Sequence, residues 1–193
     1  NLFNELESFP SDDKIKYIDI VSDVGYSVSA TTFCAYAYTV KNRVILLDTY
    51  YYSPVNQKNK KAPSEFSQDY QEFRNKIIEE WGKRPDYDWI DSAEGGLRNQ
   101  TSKDFGLYMK PVKKTKKIHM IEQVRSLLAE GRFYYLKKES NDIFVYEHKR
   151  YQWDDDYNDK HPTDDPRVIK VDDHTCDTLQ YYVLNNLSKI RLK

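Results

Sequence analysis

Apolar and polar positions fall in blocks along the chain, and the period changes from block to block. Residues 14–23, KIKYIDIVSD, are apolar and β-branched and break at Val24-Gly25, which predicts a strand entering a tight turn. ATTFCAYAYTV (30–40) and RVILLDTYYYSP (43–54) predict two more strands joined by a short Lys-Asn turn, an antiparallel meander of three. After the polar loop NQKNKKAPS, the residues Phe66, Tyr70, Phe73, Ile77 and Trp81 recur at helical spacing, with Ser64 as a cap and Gly82 as a stop. DYDWIDSAEGG (86–96) predicts a short strand ending in a small-residue turn. KDFGLYMKPVKK predicts a short helix followed by an extended segment, and IHMIEQVRSLLAEGR (118–132) a second amphipathic helix. FYYLKK and IFVYEHKRYQWD predict strands, DDDYNDKHPTDDP an acidic loop, and a final helix runs from about Asp172 to the C-terminus. Strands first, then helices and strands in alternation, indicate an α/β domain with a mixed sheet.

The 193 residues suffice for one domain with a continuous core. Hydrophobic residues make up 39% and charged residues 32%, which describes an ordered chain with a heavily charged surface. Many of the 17 tyrosines and 8 phenylalanines lie in the apolar runs and favour a strand-rich core. A net charge of -1 excludes a globally basic nucleic-acid coat and leaves room for local basic patches. Cys34 and Cys176 sit in apolar contexts, so reduced thiols in an intracellular protein are expected, not a disulfide framework or a zinc site. No apolar stretch approaches a membrane span and no signal peptide is present, so no membrane partner is expected. The chain starts with Asn, and NELESFPSDDK reads as a connector. Residues 1–13 are therefore expected to be a linker, and 14–193 a single domain cut from a longer protein.

Three carboxylates stand at element ends. Asp23 closes the first predicted strand, Asp91 the fourth, and Asp177 lies in the first turns of the last helix. Ligands of open α/β sheets collect outside the carboxyl ends of strands. Three acids delivered there form an oxygen cage suited to Mg²⁺ or Mn²⁺. Phosphodiester cleavage needs such a cage: two hard cations, roughly 3.5 to 4 Å apart, activate a water and stabilise the leaving oxygen. They also invert the local charge that would repel a polyanion. Within VDDHTCDTLQYY (171–182), Asp173 and Asp177 are one helical turn apart and flank the apolar stripe of Cys176, Leu179, Val183, Leu187 and Ile190. Plainer readings stand beside these. Asp172 and Asp173 suit a helix start, His174 suits an exposed position, and Asp91 suits a turn.

DVGYSVSAT (23–31), DSAE (91–94) and DDHTCDTLQYYV (172–183) resemble, in that order, the motifs of the C-terminal nuclease domain of phage terminase large subunits. VKKTKK, VRSLLAEGRFYY and YEHKRYQWD are also similar to its second half, so the resemblance runs from about Lys14 to Tyr182. It implies a ribonuclease-H-like α/β fold, a mixed β-sheet flanked by α-helices. It implies a metal-dependent endonuclease that cleaves concatemeric double-stranded viral DNA during genome packaging. Asp23, Asp91 and Asp177 would be the catalytic acids that hold two Mg²⁺ or Mn²⁺ ions, with His174 an auxiliary catalytic or metal-positioning group. Asp19, which shares strand parity with Asp23, is a candidate supporting residue, as are Glu94 and Asp173. The resemblance further implies an ATPase motor domain upstream, joined through residues 1–13. The portal protein and the small terminase subunit would be partners of the full-length protein in the host cell cytoplasm, and the isolated domain would be a monomer. No G-x-x-x-x-G-K-[ST] loop occurs in the sequence, so no ATP site is expected in this chain.

KPVKKTKKIHM gathers Lys110, Lys113, Lys114, Lys116 and Lys117 ahead of a helix carrying Arg125. Lys113, Lys114, Lys116, Lys117 and Arg125 are expected to meet DNA phosphates without reading sequence; the alternative is a solvated charged loop. The six aspartates of WDDDYNDKHPTDDP would repel a duplex, so that loop is expected off the DNA path or acting as a gate. Two other functions fit the same residues. One is a different ribonuclease-H-like nuclease, such as a junction resolvase or transposase core. The other is a docking module of the packaging motor with little activity alone.

Overall fold

The computed structural model describes residues 3–55 and 57–192. Asn1 and Leu2 of the predicted linker, Asn56 of the polar loop and Lys193 at the end of the predicted last helix lie outside the described residues. Seven strands among the described residues form one sheet: β1 (Asn4–Leu6), β2 (Ile15–Asp23), β3 (Thr31–Thr39), β4 (Val44–Tyr52), β5 (Tyr87–Ile90), β6 (Lys110–Pro111) and β7 (Phe133–Leu136). Their order across the sheet is β1-β7-β4-β3-β2-β5-β6. The predicted meander β2-β3-β4 is antiparallel, and β5, β6, β7 and β1 extend it with parallel pairings. The helices are α1 (Pro63–Trp81), α2 (Gly95–Phe105), α3 (Lys117–Ala129), α4 (Glu139–Arg150), α5 (Asp155–Lys160) and α6 (His174–Asn185).

Strand parity divides the core. Ile18 and Ile20 of β2 and Phe33, Ala35 and Ala37 of β3 face α1 and α2, against Phe66, Tyr70, Ile77 and Leu97. Val21, Cys34, Tyr36 and Tyr38 face the opposite way, against Val124 and Leu127 of α3, Phe144 of α4, and Leu179 and Val183 of α6. Every residue of β3 is buried, which is why that central strand reads as one apolar run without alternation. Burying a side chain such as Phe33 or Leu179 stabilises by about 1.5–3 kcal/mol, so two such layers hold the sheet from both sides. Asp19 and Asp23 share the α6 face, as strand parity requires.

Several predicted elements differ from the structure. Residues 143–150, expected as a strand, belong to α4. Asn141, Phe144 and Glu147 are its buried positions at helical spacing, and acids in its first turn and bases in its last complement the helix dipole. Aromatic and β-branched content masks that pattern in the sequence. Helix α1 starts earlier than Ser64, with Ala62 at the cap position, Pro63 in the first turn and the Glu65 carboxylate accepting the Ala62 N–H at 2.7 Å. Helix α2 begins at the Gly95-Gly96 pair expected as a turn. The acidic loop contains α5, capped where the Asp154 carboxylate accepts the Tyr157 N–H at 3.1 Å. Helix α6 ends at Asn185, and the chain continues in turns whose Ile190 is still buried. Among the described residues no helix is long and apolar enough to cross a membrane. Both cysteines are buried and free.

The stretch expected as a connector also contributes to the sheet. β1 pairs in parallel with β7, and the buried Phe3 ring packs 5.2 Å from Phe133, 5.7 Å from Phe144 and 5.0 Å from His148. Phe3→Ala is expected to cost about 3 kcal/mol in urea denaturation, the scale of a lost core aromatic. An unchanged midpoint would mean that these residues are not part of the folded unit.

Candidate active site

The site forms where two parallel strands end together. Ser22 of β2 is in register with Ile90 of β5, and the Asp91 N–H donates to the Ser22 carbonyl at 3.3 Å, so Asp23 and Asp91 leave the sheet at the same edge. The turn after Asp23 is held by Thr31, whose hydroxyl accepts the N–H of Gly25 at 3.1 Å and of Tyr26 at 3.2 Å. A Cβ on Gly25 would lie 2.5 Å from the Ala30 carbonyl oxygen, so the chain folds back too closely for any side chain there. Tyr26 reaches across to accept the Leu97 N–H on its hydroxyl at 2.6 Å, and Gly96 leaves space for that hydroxyl. The turn that follows Asp23 is thereby locked to the helix that follows Asp91.

Helix α6 closes the site from one side. His174, Asp177 and Tyr181 follow each other at one-turn spacing along it. His174 Nδ1 lies 2.8 Å from Asp23 Oδ2, and the Tyr181 hydroxyl donates to Asp91 Oδ2 at 3.0 Å. Asp177 lies between those two contacts along the helix. Each carboxylate also has a cationic partner: Lys114 Nζ is 2.6 Å from Asp91, Lys117 pairs with Asp177, and Lys170 is 3.1 Å from Asp173 and 3.8 Å from Asp177. Among the described residues no three acidic, histidine or cysteine side chains stand close enough together to hold one metal ion.

A family model described as the terminase RNase H-like domain matches residues 23–185. The chain belongs to the terminase RNase H-like domain family. Among solved structures it is similar to the large terminase of a thermophilic bacteriophage in complex with ADP, at 17% identity and a TM-score of 0.79, over 95% of this chain and 42% of that one. It thus spans about two fifths of that large terminase. It is similar to the g2p large terminase nuclease domain of bacteriophage SPP1 with bound Mn, at 17% identity and a TM-score of 0.66, over 97% of both chains. The large terminase nuclease of thermophilic phage G20c with bound magnesium is similar at 12% identity and a TM-score of 0.58, over 93% of this chain and 91% of that one. No curated protein sequence matches. The likeness shows the fold: an α/β, ribonuclease-H-like mixed sheet flanked by helices.

Within this terminase domain the other expected site residues fall in different places. Glu94 occupies the cap position of α2, and burial together with the charges of Asp91 and Asp23 raises its carboxyl above the usual range. Asp173 is buried at the start of α6 beside Lys170. Asp19 does not join the cluster. It lies four residues back along β2, about 13 Å at strand rise, where the Trp89 indole and the Asn186 amide donate to it at 2.9 and 3.0 Å. Lys113 is exposed, its backbone tied to Asn185, and Lys116 pairs with Asp165 at 2.9 Å, so the acidic segment touches the lysine cluster instead of standing apart from it. Arg125 lies two turns further along α3, beside a cavity lined by Trp153 and Val168, without an ion pair to the carboxylates. Tyr181 and Lys170 are site residues that the sequence does not single out. Tyr181 sits in an aromatic run that reads as core, although its spacing of four from Asp177 is a usable signal.

The electrostatics follow from crowding. Burial raises the Asp23 carboxyl, and the Asp177 and Asp91 charges add to that against the pull of His174. Burial also pushes Asp91 up, but Lys114 and the Ala93 N–H outweigh it and hold that carboxyl below the usual range. Burial lowers His174, and its bond to Asp23 more than reverses this, leaving the imidazole raised. A group with a raised folded pKa lends stability below its unfolded value and loses it as pH climbs through the folded one. In EDTA, therefore, the stability advantage of wild type over His174→Gln is expected to be about 1 to 2 kcal/mol below pH ~6.5 and to shrink as pH rises further. Thermal denaturation across that range checks the sign, and an advantage that grows with pH would contradict the pairing.

Proposed function

We propose that this domain is the nuclease part of a large terminase, a metal-dependent endonuclease that cleaves concatemeric double-stranded viral DNA during genome packaging. The observation that carries the reading is the placing of Asp23 and Asp91, from distant parts of the sequence, along one sheet edge where each bonds to a side chain of α6, the helix that carries Asp177. The donor chemistry fits Mg²⁺ or Mn²⁺, because carboxylate oxygens suit hard cations and Asp91 and Asp177 already carry lysine partners that such an ion would replace. Relatives from SPP1 and G20c with bound Mn and magnesium support the same choice. Two ions, when bound, would activate a water and stabilise the leaving oxygen.

The protein's own residues do the rest. His174 holds one oxygen of Asp23 and leaves the other to face the site. Asp91 is held at both oxygens, Oδ1 by the Ala93 N–H and Oδ2 by the Tyr181 hydroxyl, and the latter is the oxygen Lys114 would yield. Lys113 and Lys116 are exposed along the loop into α3, and Lys114 and Lys117, once off their carboxylates, join them as contacts for the phosphate backbone. In the full-length protein an upstream ATPase domain, the portal and the small subunit would be partners in the host cytoplasm, with residues 1–13 leading into the domain.

Supercoiled plasmid incubated in EDTA, Mg²⁺ or Mn²⁺ tests this directly. Cleavage is expected only with metal, and Asp91→Asn and Asp177→Asn are each expected to lower it by more than about 100-fold, the upper end of the loss for a ligand's supporting partner, with folding retained. Cleavage that survives both substitutions, or none in any metal together with binding to portal, would replace the nuclease with another site or a docking module. For DNA binding, Lys113→Ala and Lys116→Ala should each flatten the slope of log affinity against log salt by about 0.9, one phosphate contact apiece. An unchanged slope would remove that lysine from the DNA path.

A further inference from the structure

Glu147 of α4 is fully buried, yet among the described residues no lysine, arginine or histidine forms an ion pair with it. A buried carboxylate without a cation is costly unless donors surround it. Three do. The Thr175 N–H donates to Oε2 at 2.7 Å, the Thr175 hydroxyl to the same oxygen at 2.6 Å, and the Tyr51 hydroxyl of β4 to Oε1 at 2.8 Å.

Thr175 is the second residue of α6, and its N–H is one of the helix-start donors that no turn of the helix satisfies. Asp173 occupies the cap position, but its side chain makes no capping bond and faces Lys170 instead. The cap is therefore supplied from another helix, and its negative charge also complements the positive end of the α6 dipole. The Thr175 carbonyl is held as well, accepting the Thr178 hydroxyl at 2.8 Å, which in turn meets the Tyr36 hydroxyl at 2.8 Å. The residue next to His174 is thus tied at both its N–H and its C=O, and Asp177 follows two positions on.

We propose that Glu147 is a positioning residue for the cation site: it fixes the first turn of α6 and, through Thr175, the aim of His174 at Asp23 and the placing of Asp177. Its hydrogen bonds go to Thr175 and Tyr51, and none goes to the proposed metal ligands. Burial and the Glu147 charge raise the Tyr51 hydroxyl far above its ordinary value, so that group remains a donor and ties the same turn to β4. The role rests on the nuclease reading above, and support of this kind for metal ligands typically changes affinity by about 10- to 100-fold.

The test is Mn²⁺ affinity by calorimetry on the 193-residue chain without DNA, together with melting temperature, for wild type, Asp23→Asn, Glu147→Gln, Thr175→Val and Ile77→Ala. Glu147→Gln is expected to weaken Mn²⁺ binding by about 10- to 100-fold, and Thr175→Val, which removes only the hydroxyl bond, by about tenfold. Ile77→Ala should lower the melting temperature and leave Mn²⁺ affinity unchanged, since it loosens the α1 layer on the opposite face of the sheet from α4 and α6. If Glu147→Gln does not fold, Thr175→Val decides. Wild-type affinity in the Glu147 or Thr175 variant, or an equal loss in Ile77→Ala, would overturn the positioning role while leaving the cation site. No Mn²⁺ binding by wild type, or binding indifferent to Asp23→Asn, would instead remove the cation site and the inference with it.

Discussion

Carboxylates gathered out of bulk water repel one another, and two like charges 5 Å apart at an effective dielectric near 20 do so by roughly 3 kcal/mol. Asp23, Asp91, Asp177 and Asp173 crowd one edge of this sheet, so the domain holds them there only by answering each charge. Lys114, Lys117 and Lys170 answer three of them, and His174 answers Asp23. A structural protein gains little from such an arrangement, because hydrophobic groups would fill the edge without the repulsion. A site that exchanges these cations for metal ions and then meets a polyanion needs it.

The helix that closes this edge is fixed in two ways at once. Its inner face is core: Leu179 and Val183 are fully buried, and Tyr182 stacks on Tyr36 at 4.7 Å. Its outer flank is the row of His174, Asp177 and Tyr181. Because successive residues of a helix are turned by about 100°, a slip of one position would bury a charge and expose a leucine. The core packing therefore sets where the chemistry points, and the buried cap at Thr175 sets where the helix starts.

The parts of this design that follow a simple period are legible in the sequence. The meander β2-β3-β4, the amphipathic α1 and α3, and the three acids at element ends all express a local rule. Helix α4 is not legible in this way because its Phe144, Val145 and Tyr146 favour strand locally, while the signals that identify it, buried positions at helical spacing and charges graded along the axis, emerge only over its full length. β1 escapes the pattern because a three-residue edge strand has no period of its own and exists only through β7. At the site, strand parity brings Asp19 to the same face as Asp23, and only the structure shows that its partners are Trp89 and Asn186 and not the residues around Asp23. Tyr181 and Glu147 are hidden in the sequence. Tyr181 reads as a core aromatic and Glu147 as a solvated charge in YEHKR, and only the partners across the fold, Asp91 and Thr175, reveal what each does.

The central claim is that these carboxylates change partners from lysine to metal. Anomalous diffraction at the manganese edge, from crystals of the domain soaked in Mn²⁺, measures this most directly. The account predicts manganese peaks bounded by Asp23, Asp91 and Asp177, with the Lys114 and Lys117 ammonium groups moved off Asp91 and Asp177. Manganese bound elsewhere, or lysines still seated on their carboxylates in crystals saturated with Mn²⁺, would contradict it.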